Sequence, residues 1–381
     1  MSRLLMVSPE YPYPQRCGFT VRVGDLCRHL AERAELDLFL CRWLADTENL
    51  PGRQIFKQVS AAERREETTE LSLARRVVRR LFPPHFDDAV YLPDAVVAQL
   101  AGLLARKRYR ACILQAPFLA RAMPVIPDGT LKIVDAIDLW HQKYLGFKAL
   151  GCGRLLAHFR DAERELAFYR SADRVLAISR YDHEHLLANE VNSLYTPVAF
   201  APDPLPARNP PGRDLLIASG SGPFNMDAVR FLVRDVLPLV RREIPDVRLK
   251  IANPAPEIVR DYAGHRQVVF LPFRDHPRDL YAEVDLAVAP LRHTSGLKIK
   301  VLEAFAYGKP ILLTPAAAQG IPCGAYAQRE VSAEPDKYAG QIVLALRDPG
   351  YRHALIESGL ALLRREYGSE HAYGPLTEVL A

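Results

Sequence analysis

Glu303 stands in the run VLEAFA, with apolar neighbours on almost every side. A carboxylate in such a run must reach water or hold a hydrogen-bond partner, because burying it alone costs several kcal/mol or shifts its pKa. Lys300 lies three residues earlier, on a neighbouring part of the same helical surface. Two arrangements satisfy both residues. They can form an i,i+3 ion pair on a solvated face. Or both can point into a crevice, where Lys300 meets a diphosphate and Glu303 accepts hydrogen bonds from a ribose diol. A second group of candidates is Asp135, Asp138 and His141 in KIVDAIDLWHQKY. Two carboxylates at this spacing can bind a metal or do acid–base chemistry. Asp138 or His141 is the residue expected to orient a hydroxyl, and turn capping by Asp135 with surface roles for the others is the plain alternative.

The elements around Glu303 can be read from VDLAVAPLRHTSGLKIKVLEAFAYGKPILLTP, residues 284–315. Val284 to Pro290 reads as a strand, and Leu291 to Ser295 as a polar loop carrying Arg292 and His293. The spacing from Leu297 to Tyr307 predicts a helix. Thr294 or Ser295 can cap its start, and Gly296 allows close approach of a ligand to the backbone. Gly308 suits a left-handed C-cap, and Pro310 stops the helix before the next strand, Ile311 to Thr314. A helix start with free N–H groups at the end of a parallel strand suits an anion, phosphate above all.

Similar junctions recur. YPYPQRCGFT, residues 11–20, follows a first strand, Arg3 to Ser8, and precedes a helical segment, Val21 to Ala31. Gly18 there suits close backbone approach to a substrate or phosphate, or marks an ordinary loop. SGSGPFN, residues 219–225, follows another strand, and the small residues Ser221 and Gly222 let backbone N–H groups face a phosphate. In SADRVLAISRYDHEH, Ser179 suits a helix cap, and a contact from Ser179 or Arg180 to a ligand is the alternative. In LARRVVRRLF, residues 73–82, Arg75, Arg76, Arg79 and Arg80 form a basic stripe beside Leu73, Val77 and Leu81. That is the pattern of a helix on an anionic membrane surface, or of a surface helix packed on the core.

Apolar runs alternate with helical segments throughout. Leu36 to Cys41, Cys112 to Gln115, Lys132 to Asp135 and Arg174 to Ile178 read as further strands, so the fold class is α/β with parallel sheets covered by helices. A proline-rich stretch, VAFAPDPLPARNPPGR, separates two such series and reads as an extended linker. The second series runs through Asp214 to Ser219, a helix from Asn225 to Ile244, Val247 to Ile251 and Val268 to Leu271. This divides the chain near residue 205. The segment from Tyr351 to Ala381 reads as an amphipathic helical tail.

At 381 residues the chain can bury a sizeable core. Its 49% hydrophobic and 25% charged content is that of an ordinary globular protein. A formal charge of +5 does not by itself suggest nucleic acid. No run reaches the roughly 18 apolar residues that span a membrane. The start reads as a strand rather than a secretory signal. The six cysteines are scattered without a C-x-x-C pair, which speaks against zinc and a disulfide framework and fits a cytoplasmic protein.

SGLKIKVLEAFAYGKPILLTP resembles the nucleotide-sugar-binding motif of retaining glycosyltransferases with the GT-B architecture, in particular glycosyltransferase family four. That family shows two glutamates separated by seven residues. Glu303 matches the second, while Ser295 occupies the place of the first, which in the family contacts the donor sugar. A lysine at the place of Lys300 is similar to a subset associated with bacterial surface polysaccharides. The resemblance implies two Rossmann-like domains with parallel sheets facing across a cleft: an acceptor domain, 1–204, with a helix at 360–381 returning to it, and a donor domain, 205–359. It implies a donor set of Gly18, Ser221, Gly222, Phe273, Arg274, His293, Ser295, Gly296, Leu297, Lys298, Lys300 and Glu303. Phe273, in FLPFR, is then the residue placed to stack on the base. Lys298, Lys300 or Arg292 stands in for the diphosphate-binding Arg and Lys missing from SGSGPFN. Asp138, His141 and Glu303 are the implied catalytic residues. The implied reaction is metal-free transfer of a sugar with retention, to a glycan or lipid-linked acceptor, in bacterial polysaccharide or lipopolysaccharide assembly. No cofactor is implied, and UDP, GDP and dTDP donors stay equally open. The four arginines at 75–80 would then hold the enzyme to the inner membrane. A small-metabolite or protein acceptor, or a silent nucleotide-sugar binder, are the alternatives.

Overall fold

In the computed structural model, the structure describes residues 2–63, 85–89, 91–206, 212–274, 276–323 and 332–381. The arginine stripe at Arg75, Arg76, Arg79 and Arg80 lies outside the described residues. The chain divides into two units, Met1–Val198 with Tyr373–Ala381, and Ala199–Ala372. The sequence places the division near 205 and the return from residue 360.

The first unit is built on a seven-stranded parallel sheet: β1 (Arg3–Ser8), β2 (Glu35–Leu40), β3 (Gln58–Ala61), β4 (Ala111–Gln115), β5 (Leu131–Asp135), β6 (Arg174–Ala177) and β7 (Ser193–Tyr195). The order is β3-β2-β1-β4-β5-β6-β7, and every pairing is parallel. Buried parallel strands need apolar side chains on both faces. Leu4 to Val7 and Ala111 to Leu114 accordingly lie in the core. β3 and β7 are short edge strands, QVSA and SLY, without such a run, and the sequence reading did not find them. Helix α1 spans Gly18–Ala31, three residues longer than expected at its start, because Thr20 Oγ1 accepts from the Arg16 and Cys17 N–H groups and holds the first turn. Helix α2 (Trp140–Ala149) follows β5.

The second unit has a five-stranded parallel sheet: β8 (Asp214–Gly220), β9 (Arg248–Pro254), β10 (Val268–Leu271), β11 (Leu286–Ala289) and β12 (Ile311–Leu313), in the order β10-β9-β8-β11-β12. Helix α3 (Pro223–Phe231) follows β8, and α4 (Ile299–Ala306) lies between β11 and β12. The single helix expected from Asn225 to Ile244 is broken. A π-helical turn, Leu232–Val236, separates α3 from a second helix, Leu237–Glu243. Pro238 has no N–H and its ring crowds the carbonyl four residues back, and the wider turn accommodates both.

The helical tail forms two helices, Pro349–Glu366 and α5 (Ser369–Leu380). From Tyr373 onward α5 belongs to the first unit. There the Tyr373 hydroxyl donates to Asp25 at 2.5 Å, and His29 Nε2 lies 3.0 Å from Thr377 Oγ1. The proline-rich segment starts within the second unit. The Asp203 and Leu205 N–H groups donate to the Ala306 and Tyr307 carbonyls, which the end of α4 leaves without helical partners.

Candidate functional site

In each sheet the chain order reverses beside the first strand, and the loops leaving the carboxyl ends of the two strands there form the natural ligand position. In the second unit those strands are β8 and β11. The end of β8 and the turn into α3 run from Ser219 to Gly222. Gly220 has φ +102°, which favours glycine, and Gly222 precedes Pro223 at the first position of α3. Ser221 and Gly222 are exposed. The loop after β11 runs from Leu291 to Lys298, with Gly296 at φ +57°.

Lys300 and Glu303 lie on α4, on the side not given to the core residues Val301, Leu302, Phe305 and Ala306. They form no direct ion pair. Lys300 Nζ donates instead to the Ala218 carbonyl at the end of β8 and to Asn225 Oδ1 on α3, at 2.8 Å. Among the described residues its third N–H has no partner. Burial pulls the Lys300 pKa down to about 8, against the pull of Glu303. The single proton of the Tyr281 hydroxyl is shared between the Lys300 carbonyl, at 2.8 Å, and Glu303 Oε2, at 3.3 Å. Burial raises the Glu303 pKa, while Tyr281 and Lys300 oppose the rise. Tyr281 is fully buried, and sequence reasoning missed it, since YAEVD gives no sign that its hydroxyl turns to a carboxylate 22 residues on.

The start of α4 differs from expectation. Its N-cap is Lys298, without a side-chain cap bond, so neither Thr294 nor Ser295 caps it. Lys298, expected on the diphosphate, is buried and donates to the Gly296 and Gln319 carbonyls, both at 2.8 Å. It braces the loop from inside. In a planar trans peptide the N–H opposes the C=O, so the Leu297 N–H faces away from that ammonium. Leu297 itself is buried, and Ser295 is half-buried. Arg292, the other candidate stand-in, is held by both oxygens of Asp227 and lies over the Phe231 ring at 5.3 Å. The His293 ring stacks on Phe224 at 6.4 Å. These contacts tie the 291–298 loop to α3. Phe273 and Arg274 follow β10, two strands and about 10 Å across the sheet from β8. Phe273 is 40% exposed, and Arg274 lies 3.8 Å from Glu283.

In the first unit the corresponding strands are β1 and β4. Gly18 is exposed at the start of α1, after β1. Asp135, the last residue of β5, is fully buried and forms an ion pair with the equally buried Arg22. Arg22 Nε and Nη2 donate to its two oxygens, and the remaining N–H groups go to the Thr196 and Pro197 carbonyls and Thr196 Oγ1. Asp135 is therefore spent on structure. The next turn is tight. Ile137 has φ +61°, rare for a β-branched residue, and the Asp138 N–H donates back to the Ala136 carbonyl at 2.6 Å. Such strain concentrates at functional sites. Asp138 then pairs with Lys143 at 2.5 Å, and Lys143 lies over the Trp140 ring. His141 is buried, with its Nδ1 3.0 Å from Glu165 Oε2. Asp138 and His141 thus share a turn but not a partner. Ser179 caps the helix Arg180–Ala188 by accepting from the Asp182 N–H at 3.1 Å, and Arg180 lies over the Tyr195 ring.

Among the described residues no group of three or more His, Cys, Asp or Glu side chains could hold a metal ion. Among the same residues no helix is long and apolar enough to cross a membrane.

Residues 213–348 match the family described as Glycosyl transferases group 1. No curated protein matches the sequence. Among solved structures, the fold is similar to sucrose-phosphate synthase from Thermosynechococcus elongatus, with a TM-score of 0.70 at 16% identity, over 100% of this chain and 98% of that one. It is similar to S. aureus TarM in a complex containing UDP, with a TM-score of 0.68 at 10% identity over 100% of both chains. It is similar to Anabaena HepE in complex with UDP-glucose, with a TM-score of 0.61 at 13% identity over 100% of this chain and 99% of that one. The expected GT-B architecture is therefore the one found. The chain has the GT-B fold of these structures, and its second unit carries the match to the glycosyl transferases group 1 domain.

Proposed function

We propose that the chain transfers a sugar, with retention, from a nucleotide sugar bound by the second unit to a glycan or lipid-linked acceptor. The observation that carries this reading is the placement of Lys300. Its ammonium is fixed to Ala218 and Asn225 where β8 and β11 diverge, with one N–H unpartnered among the described residues, while Glu303 is one turn further along the same helix. In this reading Lys300 meets the diphosphate, and Glu303 accepts from the ribose hydroxyls. The Leu297 N–H and the small residues at 220–222 add backbone donors. Charge developing on the departing diphosphate is the quantity stabilised, and preorganised donors suit that task. The departing phosphate itself takes the acceptor proton. No metal is needed, because the positive charge is supplied by Lys300 and by amide dipoles. UDP is the first donor to try, since the HepE and TarM structures were solved with it. In the first unit, His141 and Asp138 orient a hydroxyl. The lysine at 300 favours assembly of a bacterial surface polysaccharide, at the inner face of the membrane.

Release of nucleoside diphosphate from UDP-, GDP- and dTDP-sugars, with and without acceptor glycans, tests the reading. The wild-type chain should turn over one class, and Glu303→Ala should lose about 100-fold or more. No release from any sugar nucleotide, or equal release by Glu303→Ala, would contradict it.

A further inference from the structure

Glu165, which faces His141 Nδ1, is fully buried in the helix Ala162–Arg170. A buried carboxylate persists only when its lone pairs are used, and here four donors converge on it. Oε1 accepts from the Trp140 N–H at 3.0 Å and the Tyr169 hydroxyl at 2.9 Å. Oε2 accepts from the His141 N–H at 2.7 Å and faces His141 Nδ1 at 3.0 Å. The two amides belong to the first turn of α2, so half of this arrangement is the capping of a helix start. The Nδ1 contact is not explained by capping.

An ionised carboxylate only accepts, so the proton of that contact sits on Nδ1. In the neutral ring Nε2 is then a lone pair. It has no hydrogen-bond partner among the described residues, and it is not one of the sealed unpartnered atoms, which include His185 Nε2. The His185 ring lies 5.4 Å from His141. Burial holds His185 below its usual pKa. The strained turn at Ile137 aims the start of α2 and fixes the backbone from which His141 projects.

We propose that Glu165 is a positioning residue, which locks His141 in the Nδ1–H tautomer and so presents the Nε2 lone pair to a substrate hydroxyl. The proposal rests on the sugar-transfer reading only for the identity of that hydroxyl. The same logic operates where a carboxylate orients a catalytic imidazole in hydrolases.

The test has two arms on the full-length protein. In the first, long-range ¹H–¹⁵N correlation spectra of ¹⁵N-histidine-labelled chain report which ring nitrogen carries the proton, with the His141 signals identified by their loss in His141→Asn. The wild type should show a protonated Nδ1 and a bare Nε2. In Glu165→Gln the amide N–H₂ can turn to Nδ1, and the ring should move to the Nε2–H tautomer. In the second arm, Glu165→Gln should lower kcat about 100-fold with KM changed less than about threefold, and the Glu165→Gln/His141→Asn double variant should be no slower than His141→Asn alone. A wild-type Nε2–H tautomer, an unchanged tautomer in the variant, or multiplying losses in the double variant would each overturn the proposal. If Glu165→Gln fails to fold, the wild-type spectrum still decides. Absence of turnover in the wild type would overturn the sugar-transfer reading, and the first arm would still stand or fall on its own.

Discussion

Lys300 Nζ donates to Asn225 Oδ1 at 2.8 Å, which joins helix α4 to the small-residue loop after β8. One lysine thereby fixes the two segments that would hold a diphosphate, at the place where the sheet order reverses.

Lys300→Met should separate binding from stability. Losing a charge-assisted hydrogen bond to phosphate costs about 1.5–3 kcal/mol, or roughly 10- to 100-fold in affinity. Stability should move by no more than about 1–2 kcal/mol, because the cost of burying the ammonium offsets the bonds it makes. Calorimetric titration with the preferred nucleotide sugar and urea denaturation read the two effects.

Lys300 also sets a pH dependence. Its pKa is pulled from 10.5 to about 8 by burial. A base lowered on folding is more protonated in the unfolded chain between those two values. Its contribution to stability therefore rises with pH across that window and is flat below it. Donor affinity should move the other way, falling above pH 8 as the free chain loses the ammonium. Dissociation constants at pH 7 and pH 9.5 should differ in the wild type and converge in Lys300→Met.

Tyr281→Phe removes the hydroxyl that opposes the rise in the Glu303 pKa. The carboxyl should titrate still higher. Ribose hydroxyls bind the carboxylate form, so the acid limb of the donor-affinity profile should shift to higher pH. The lost hydrogen bonds should cost about 1–2 kcal/mol of stability. A profile that superimposes on the wild type would show that Glu303 does not meet the donor.

Arg22 and Asp135 form a fully buried pair in the first unit. Arg22→Leu leaves the carboxylate uncompensated and should cost about 3–5 kcal/mol. Arg22→Leu/Asp135→Leu should recover much of that loss, because neither charge is then stranded. Urea melts of the single and double variants complete the cycle.

The strands that sit inside each sheet were legible because a parallel strand covered on both faces reads as an apolar run, as in LLMV and ACIL. β3 and β7 were not, since QVSA and SLY are short edges. Lys300 and Glu303 could be singled out by their apolar surroundings. Lys298 could not be told from Lys300 by type, and only the fold turns it inward onto carbonyls. Arg22 reads as an ordinary helix arginine until Asp135, 113 residues away, is brought beside it. Glu165 left a faint signal. It lies four residues before Tyr169 and next to Leu166, on the face of its helix that packs inward, where an unpaired acid has no place. Its partner His141 is 24 residues distant, beyond any local pattern.

The most direct measurement is a thermal-shift series of UDP, GDP, dTDP and their sugars against the wild type and Lys300→Met/Glu303→Ala. A ligand at 100 times its dissociation constant adds about 2.7 kcal/mol of stability. One nucleotide class should raise the wild-type Tm by several degrees and leave the double variant nearly unmoved. No shift with any of them, or an equal shift in both proteins, would contradict a donor site built on Lys300 and Glu303.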